Sequence, residues 1–133
     1  MSNLSTIGIW ILRLVAAVIL LQTLYFKFSA APESIYIFSK LGMEPWGRIG
    51  TGILELIAGI LLLIPVTTVL GAMLATGLMA GAIFFHITKL GISVQGDGGQ
   101  LFIYALVVFV SSIVLIIIYR NDLFAFKGFR IKT

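Results

Sequence analysis

Residues 101–119 read LFIYALVVFVSSIVLIIIY, a stretch of nineteen residues without one charged side chain. An α-helix of about 20 mostly apolar residues is long enough to cross the hydrocarbon core of a bilayer. A membrane β-strand would need apolar and polar residues in alternation, and the continuous run Leu115–Ile118 does not alternate. The stretch therefore predicts a membrane-spanning helix and an all-α membrane fold.

The composition of the whole chain supports a membrane protein. Of its 133 residues, 60% are apolar and 11% are charged, and the mean hydropathy is +1.16. A soluble domain of this length has too little interior to bury so much apolar surface, which excludes an ordinary soluble enzyme and a disordered chain. The net charge is only +4 and forms no basic stripe, so we expect no nucleic-acid partner.

The chain contains no cysteine and one histidine. The absence of cysteine excludes disulfides, thiol catalysis and thiolate-held zinc or iron–sulfur clusters. A single histidine cannot supply two axial ligands to a haem. We therefore expect no metal site, and no side chain can be assigned as catalytic from the sequence.

Three further apolar stretches predict three further spans. The first contains Arg13 and is too long for a signal peptide, and Pro32 directly follows its candidate cleavage site, so we expect it to be retained. The chain is thus expected to form one transmembrane four-helix bundle over residues 1–133, with a tail at 120–133. The predicted spans cover about 7–28, 48–64, 68–89 and 101–119.

The connections between the spans are of two kinds. Pro65 ends the second span only two or three residues before the third begins, so these two helices should be antiparallel neighbours. The longer first connection should hold a short interfacial helix at about 32–41, because Pro32 suits a helix start and Gly42 suits a helix end. A mobile polar loop is the alternative for this segment.

Two charged residues lie inside predicted spans. Arg13 in the first span and Glu55 in the second each cost about 2.5–3.5 kcal/mol at the centre of a membrane helix. Their distances from the ends of their spans place them at similar depth, so we predict a buried ion pair between them. The pair has two interpretations, a structural lock that fixes helix order and a functional polar site.

A second polar group is expected near the opposite membrane face, where the short helix would cover the bundle. The candidate ligand-binding residues of this second group are Lys27, Arg48, His86, Gln100 and Tyr104. Arg13 and Glu55 of the predicted ion pair are also candidate ligand-binding residues. Such a basic, hydrogen-bonding mouth suits a quinone headgroup, an anion or a lipid phosphate, and an imidazole can exchange hydrogen bonds or protons with a carbonyl oxygen. The alternative for each residue is ordinary snorkelling or interfacial packing.

Several short motifs resemble the DoxX family of small four-span bacterial membrane proteins. They are Arg13 with Lys27-Phe28 fourteen positions later, the second-span segment Gly52–Gly59, Phe84-Phe85-His86, and Gly98–Phe102 entering the last span. The family takes its name from a membrane subunit of a thiosulfate:quinone oxidoreductase. The resemblance implies a bacterial inner-membrane protein with membrane lipids, a redox or other membrane protein, or a second copy of the chain as partners.

Three functional hypotheses remain open at this stage. The first is a subunit or accessory protein of a membrane redox system that binds a quinone-like or lipidic molecule, because the chain has no redox centre of its own. The second is a non-enzymatic assembly or binding protein whose polar core only fixes the fold. The third is a small proton-coupled transporter, although a basic partner would keep Glu55 ionised and unsuited to proton exchange.

The number of spans also bears on orientation. Four spans place both termini on one side of the membrane, and basic residues are divided equally between the two sides, four against four. The four near the C-terminus lie together, whereas those on the other side lie mostly at span ends. We therefore predict that both termini are cytoplasmic.

Overall fold

The computed structural model describes residues 3–120, and the part of the chain that it describes is a bundle of five α-helices. They are α1 (Asn3–Phe28), α2 (Pro32–Lys40), α3 (Trp46–Leu63), α4 (Thr68–Phe85) and α5 (Gln100–Ile118). The predicted tail lies mostly outside the described residues. The fold class is the one that the sequence predicts.

Four of the helical segments are long and apolar enough to cross a membrane. They cover Ser5–Phe28, Trp46–Leu63, Pro65–Leu90 and Gln100–Ile118. Each of the four predicted spans coincides with one of the long helices, with ends that differ by four residues or fewer. The first helix begins at Asn3 rather than near residue 7.

The four long helices form a closed ring in which each packs against two others. The neighbouring pairs are α1 with α3, α3 with α4, α4 with α5, and α5 with α1. Residues 64–67 join α3 to α4, as expected for antiparallel neighbours. A Cβ atom at Gly71 of α4 would lie 2.7 Å from the backbone nitrogen of Leu62, so glycine is needed where these two backbones touch.

The short helix α2 lies across one end of the ring, where it contacts α1, α3 and the segment after α4. Pro32 occupies its first turn, and Gly42, with a φ of +74°, follows its end. Phe38 is its buried apolar anchor. The predicted interfacial helix is therefore confirmed, and α2 covers one mouth of the bundle.

The third span ends in a feature that the sequence did not predict. After Phe85 the backbone widens into a π-helical turn over His86–Leu90, with a hydrogen bond of 2.8 Å from the Gly91 N–H to the His86 carbonyl. Such turns are rare and often occur at functional sites. This one holds His86 at the end of the bundle that α2 covers.

Candidate functional site

A cavity of about 580 Å³ lies inside the half of the bundle beneath α2. Helices α1 to α5 and the π-helical turn all contribute to its walls, which are mainly apolar. The polar and charged residues lining it are Gln22, Thr23, Lys27, Glu33, Ser34, Thr51, Glu55, His86, Asp97, Gln100 and Tyr104. Five of the seven predicted site residues are thus gathered around one cavity, and Arg13 and Arg48 do not line it.

A buried ion pair between α1 and α3 faces this cavity. The Lys27 Nζ atom lies 3.1 Å from the Glu55 Oε1 atom, and the two side chains are only 15% and 6% exposed. The Thr23 hydroxyl, one turn before Lys27, lies 3.3 Å from the same carboxylate oxygen. Because opposite charges attract strongly where water is scarce, the pair ties α1 to α3 and places a dipole at the cavity wall.

The predicted pairing of Arg13 with Glu55 is wrong. The Arg13 guanidinium donates from Nε to the Leu62 carbonyl and from Nη2 to the Leu63 carbonyl, both at 2.8 Å. It also lies 3.7 Å from the ring centroid of Trp10. The Leu62 and Leu63 carbonyls lie at the end of α3 and have no hydrogen-bond donor within that helix. The Arg13 guanidinium, which lies beside them on α1, supplies donors to both.

The axial offset of the two helices explains this difference. Leu62 lies seven residues beyond Glu55, which corresponds to about 10 Å along α3. Arg13 lies beside the end of α3, whereas Lys27, fourteen residues further along α1, lies beside Glu55. Arg13 and Lys27 share one face of α1, so the sequence identified the face but not which cation meets the carboxylate.

Arg48 has the reciprocal role at the other end of the same two helices. Its Nη1 atom donates to the carbonyl of Lys27, which is close to the end of α1. Its Nε and Nη2 atoms donate to the Glu44 carboxylate at 2.9–3.1 Å. Arg13 of α1 therefore caps α3, and Arg48 of α3 caps α1. This arrangement assigns both arginines a structural contact outside the cavity.

The remaining predicted residues lie along the cavity wall formed by α4 and α5. His86 is 5% exposed, and its Nδ1 atom lies 2.8 Å from the Ala82 carbonyl. The Gln100 amide nitrogen lies 2.8 Å from the Tyr104 hydroxyl oxygen. Together they supply an imidazole, an amide and a phenol to the cavity lining.

Sequence reasoning missed several polar residues of the cavity. Glu33 and Ser34 lie on α2 and reach the cavity because this helix covers the mouth. Gln22 and Thr23 lie on α1, and Thr51 lies on α3. A signal existed for Thr23, which is one helical turn from Lys27, but Gln22 lies on a different face of α1 from Arg13 and Lys27.

Asp97 closes the loop that leads into α5. Its carboxylate accepts hydrogen bonds from the backbone N–H groups of Val94, Gly99 and Leu101, at 2.8–3.3 Å. Partial burial raises the pKa of Asp97, but these backbone donors outweigh that effect, and its pKa lies below the ordinary 3.8. The charged form of Asp97 therefore stabilises the loop and the first turn of α5.

We expect the change Asp97→Asn to cost about 1 kcal/mol at neutral pH, because an amide is a weaker acceptor than a carboxylate at a helix start. Since folding lowers the pKa, the contribution of the carboxylate is complete above 3.8 and disappears as the pH falls through the lower folded value. Melting temperatures of both proteins across this range should converge at acid pH. A gap that stays constant with pH would contradict this assignment.

The arrangement of these residues is suited to binding a small molecule. Residues 3–120 include no cluster of three or more histidine, aspartate or glutamate side chains that could hold a metal ion. The cavity instead combines an internally neutralised charge pair, an imidazole, a phenol and apolar walls. Such walls with a few polar groups are typical of sites for small amphiphilic molecules.

Comparison with known proteins places the chain in a family. The model of the DoxX-like family matches residues 11–115, which includes most of the four spans and the whole cavity lining. No curated protein and no solved structure matches the chain. Because the match extends over most of the sequence, this membrane protein belongs to the DoxX-like family.

Proposed function

We propose that the cavity binds a quinone-like or lipidic amphiphile drawn from the bilayer. The observation that carries this proposal is the buried Lys27–Glu55 pair at the wall of a cavity of about 580 Å³. Cavities of about 300–1,000 Å³ commonly hold small molecules, so the space suits a headgroup and part of an apolar tail. The polar residues would contact the headgroup, and the apolar walls would contact the tail.

The side of the cavity between α1 and α5 supports entry from the lipid. These two helices pack less extensively than the other neighbouring pairs. On α1, Gln22 and Phe26 line the cavity and are also exposed, as is Gln100 on α5. An amphiphile dissolved in the membrane could insert its headgroup between these residues and leave its tail in the lipid.

We further propose that the chain serves as a subunit or accessory protein of a membrane redox system in the bacterial inner membrane, with both termini cytoplasmic. Membership of the DoxX-like family supports this role. Electron transfer would require a bound quinone or a partner protein, and lipids and a further membrane protein or copy of the chain are the proposed partners. No residue is assigned a catalytic role.

The purely structural alternative is a membrane assembly protein whose cavity holds only bulk lipid. The two arginine caps favour it in part, because they stabilise the fold without facing the cavity. It differs from the ligand-binding proposal in one measurable consequence. Filling the cavity should then leave the composition of the co-purifying lipid unchanged.

Gly81 provides a direct test of the proposal. It lines the cavity, and an added Cβ atom there would meet no neighbouring helix or side chain within 4 Å. The change Gly81→Leu should fill the space and also favour the helix by roughly 1 kcal/mol. We expect this variant to keep its melting temperature but to lose at least about tenfold of a specific co-purifying molecule, measured by mass spectrometry after extraction.

The matched control is Gly50→Leu on α3. This glycine also has open space around an added Cβ atom, but it does not line the cavity. The control should gain similar helix stability and retain the bound molecule. If wild type and both variants carry the same bulk lipid in the same amounts, the ligand-binding proposal is wrong.

A further inference from the structure

Only one of the two nitrogen atoms of the His86 imidazole forms a hydrogen bond among the described residues. A backbone carbonyl can only accept, so the 2.8 Å contact with Ala82 means that the Nδ1 atom carries a proton. The Nε2 atom is buried and has no hydrogen-bond partner among the described residues. This atom belongs to a side chain that lines the cavity and is only 5% exposed.

The proton on Nδ1 determines whether Nε2 can donate or accept a hydrogen bond. With the proton on Nδ1, a neutral ring presents the lone pair of Nε2, which accepts a hydrogen bond and cannot donate one. Among residues 3–120, no carboxylate forms a hydrogen bond with either nitrogen of the ring. The π-helical turn fixes His86 at this place, because its carbonyl closes the turn at Gly91.

We infer that His86 Nε2 accepts a hydrogen bond from a hydroxyl group of the ligand, so the cavity selects amphiphiles with a free hydroxyl. This inference rests on the proposed function and narrows its ligand class. The hydroxyl can belong to a quinol or to a glyceride, which share this chemistry. The oxygen of a quinone carbonyl, or of an ester that blocks the hydroxyl, has no hydrogen to donate to the lone pair.

A second group at the site is compatible with a hydroxyl ligand. The Tyr104 hydroxyl accepts from the Gln100 amide, which leaves its own hydrogen for another acceptor. A hydroxyl group both donates and accepts, so it can satisfy an acceptor such as His86 and a donor such as Tyr104. The Lys27 charge is already matched by Glu55, so the site does not require an anionic headgroup.

The test compares four probes on the full chain in detergent. They are a short-chain benzoquinol, the corresponding benzoquinone, a diacylglycerol, and the same glyceride with its hydroxyl acetylated. The shift in melting temperature with probe concentration reports the Kd of each. Near pH 8, where imidazoles are mostly neutral, we expect at least one hydroxyl-bearing probe to bind about tenfold more tightly than its blocked or oxidised counterpart.

Three variants assign the preference to His86. His86→Phe keeps a ring but removes the acceptor, so the two members of each pair should bind equally. His86→Gln restores an acceptor on a side chain of similar reach and should recover part of the preference. Thr88→Val, which removes an exposed hydroxyl bonded to the Phe84 carbonyl in the same segment, should leave the preference unchanged.

The outcomes separate this inference from the function on which it rests. Equal binding of hydroxyl-bearing and blocked probes by the wild type would overturn the selectivity but keep the ligand site. An unchanged preference in a folded His86→Phe protein would overturn the role of His86. Binding by none of the four probes would overturn the proposed ligand class and this inference together. If His86→Phe fails to fold, the comparison of probes on the wild type still tests the selectivity, and His86→Gln still tests the role of His86.

Discussion

The change Glu55→Gln is expected to lower the free energy of unfolding by about 3–5 kcal/mol, because it leaves the ammonium of Lys27 without its carboxylate inside the bundle. The change Lys27→Met should have a loss of similar size, since it leaves a carboxylate that is 6% exposed without its cation. Unfolding in increasing amounts of denaturing detergent measures both losses.

A double-mutant cycle identifies the partner of Glu55. The stability losses caused by substitutions at Lys27 and Glu55 should be strongly non-additive, with a coupling energy of about 2 kcal/mol or more. The losses caused by substitutions at Arg13 and Glu55 should be additive, because these two residues share no contact. The control Lys89→Met removes an exposed lysine near the same membrane face and should cost less than about 0.5 kcal/mol. Strong coupling of Glu55 to Arg13 would contradict the observed pairing.

The second large effect is expected from Arg13→Met. This change removes two charge-assisted hydrogen bonds to the carbonyls of Leu62 and Leu63, of which only the Leu62 carbonyl keeps another side-chain donor among the described residues, the Thr68 hydroxyl at 3.3 Å. Because buried carbonyls without partners are costly, we expect a loss of about 2–4 kcal/mol in the free energy of unfolding. Arg13→Lys should recover only part of it, since an ammonium cannot reproduce the planar two-point contact.

The exposed Arg120 is the matched control for Arg13. Its Nη1 atom donates to the Ile117 carbonyl at the surface, at 3.2 Å, so Arg120→Gln should change stability by less than about 0.5 kcal/mol. Arg13→Met should also leave ligand affinity unchanged in the fraction that remains folded, because Arg13 does not line the cavity. If Arg13→Met lost ligand affinity without losing stability, Arg13 would have to be assigned to the ligand site.

Several elements of the fold could be predicted because their signals are local. Helix α2 is an example, since Pro32 and Gly42 mark its limits by their backbone preferences alone. The four spans follow from the length of apolar sequence that a bilayer requires. The polar residues of the mouth were predicted as a group because they lie at the same ends of their spans.

The assignment of partners within the site could not be predicted in the same way. Helix α1 begins about four residues earlier than its apolar pattern indicated, which corresponds to roughly 6 Å along its axis. This difference is small beside the roughly 21 Å that separates Arg13 from Lys27 along α1, so the partner of Glu55 is decided by the axial offset of α1 against α3 and not by where α1 begins. The wider turn at His86 is likewise set by packing against the rest of the bundle.

The sequence by itself determined that this chain is a four-span membrane protein with a covered, polar mouth, because hydrophobic length, proline, glycine and charge act over a few neighbouring residues. Only the tertiary structure decided that Glu55 meets Lys27, that the two arginines cap opposite helices, and that one nitrogen of His86 has no hydrogen-bond partner within residues 3–120. These contacts depend on the axial offset and rotation of whole helices, and interactions among distant residues set those quantities.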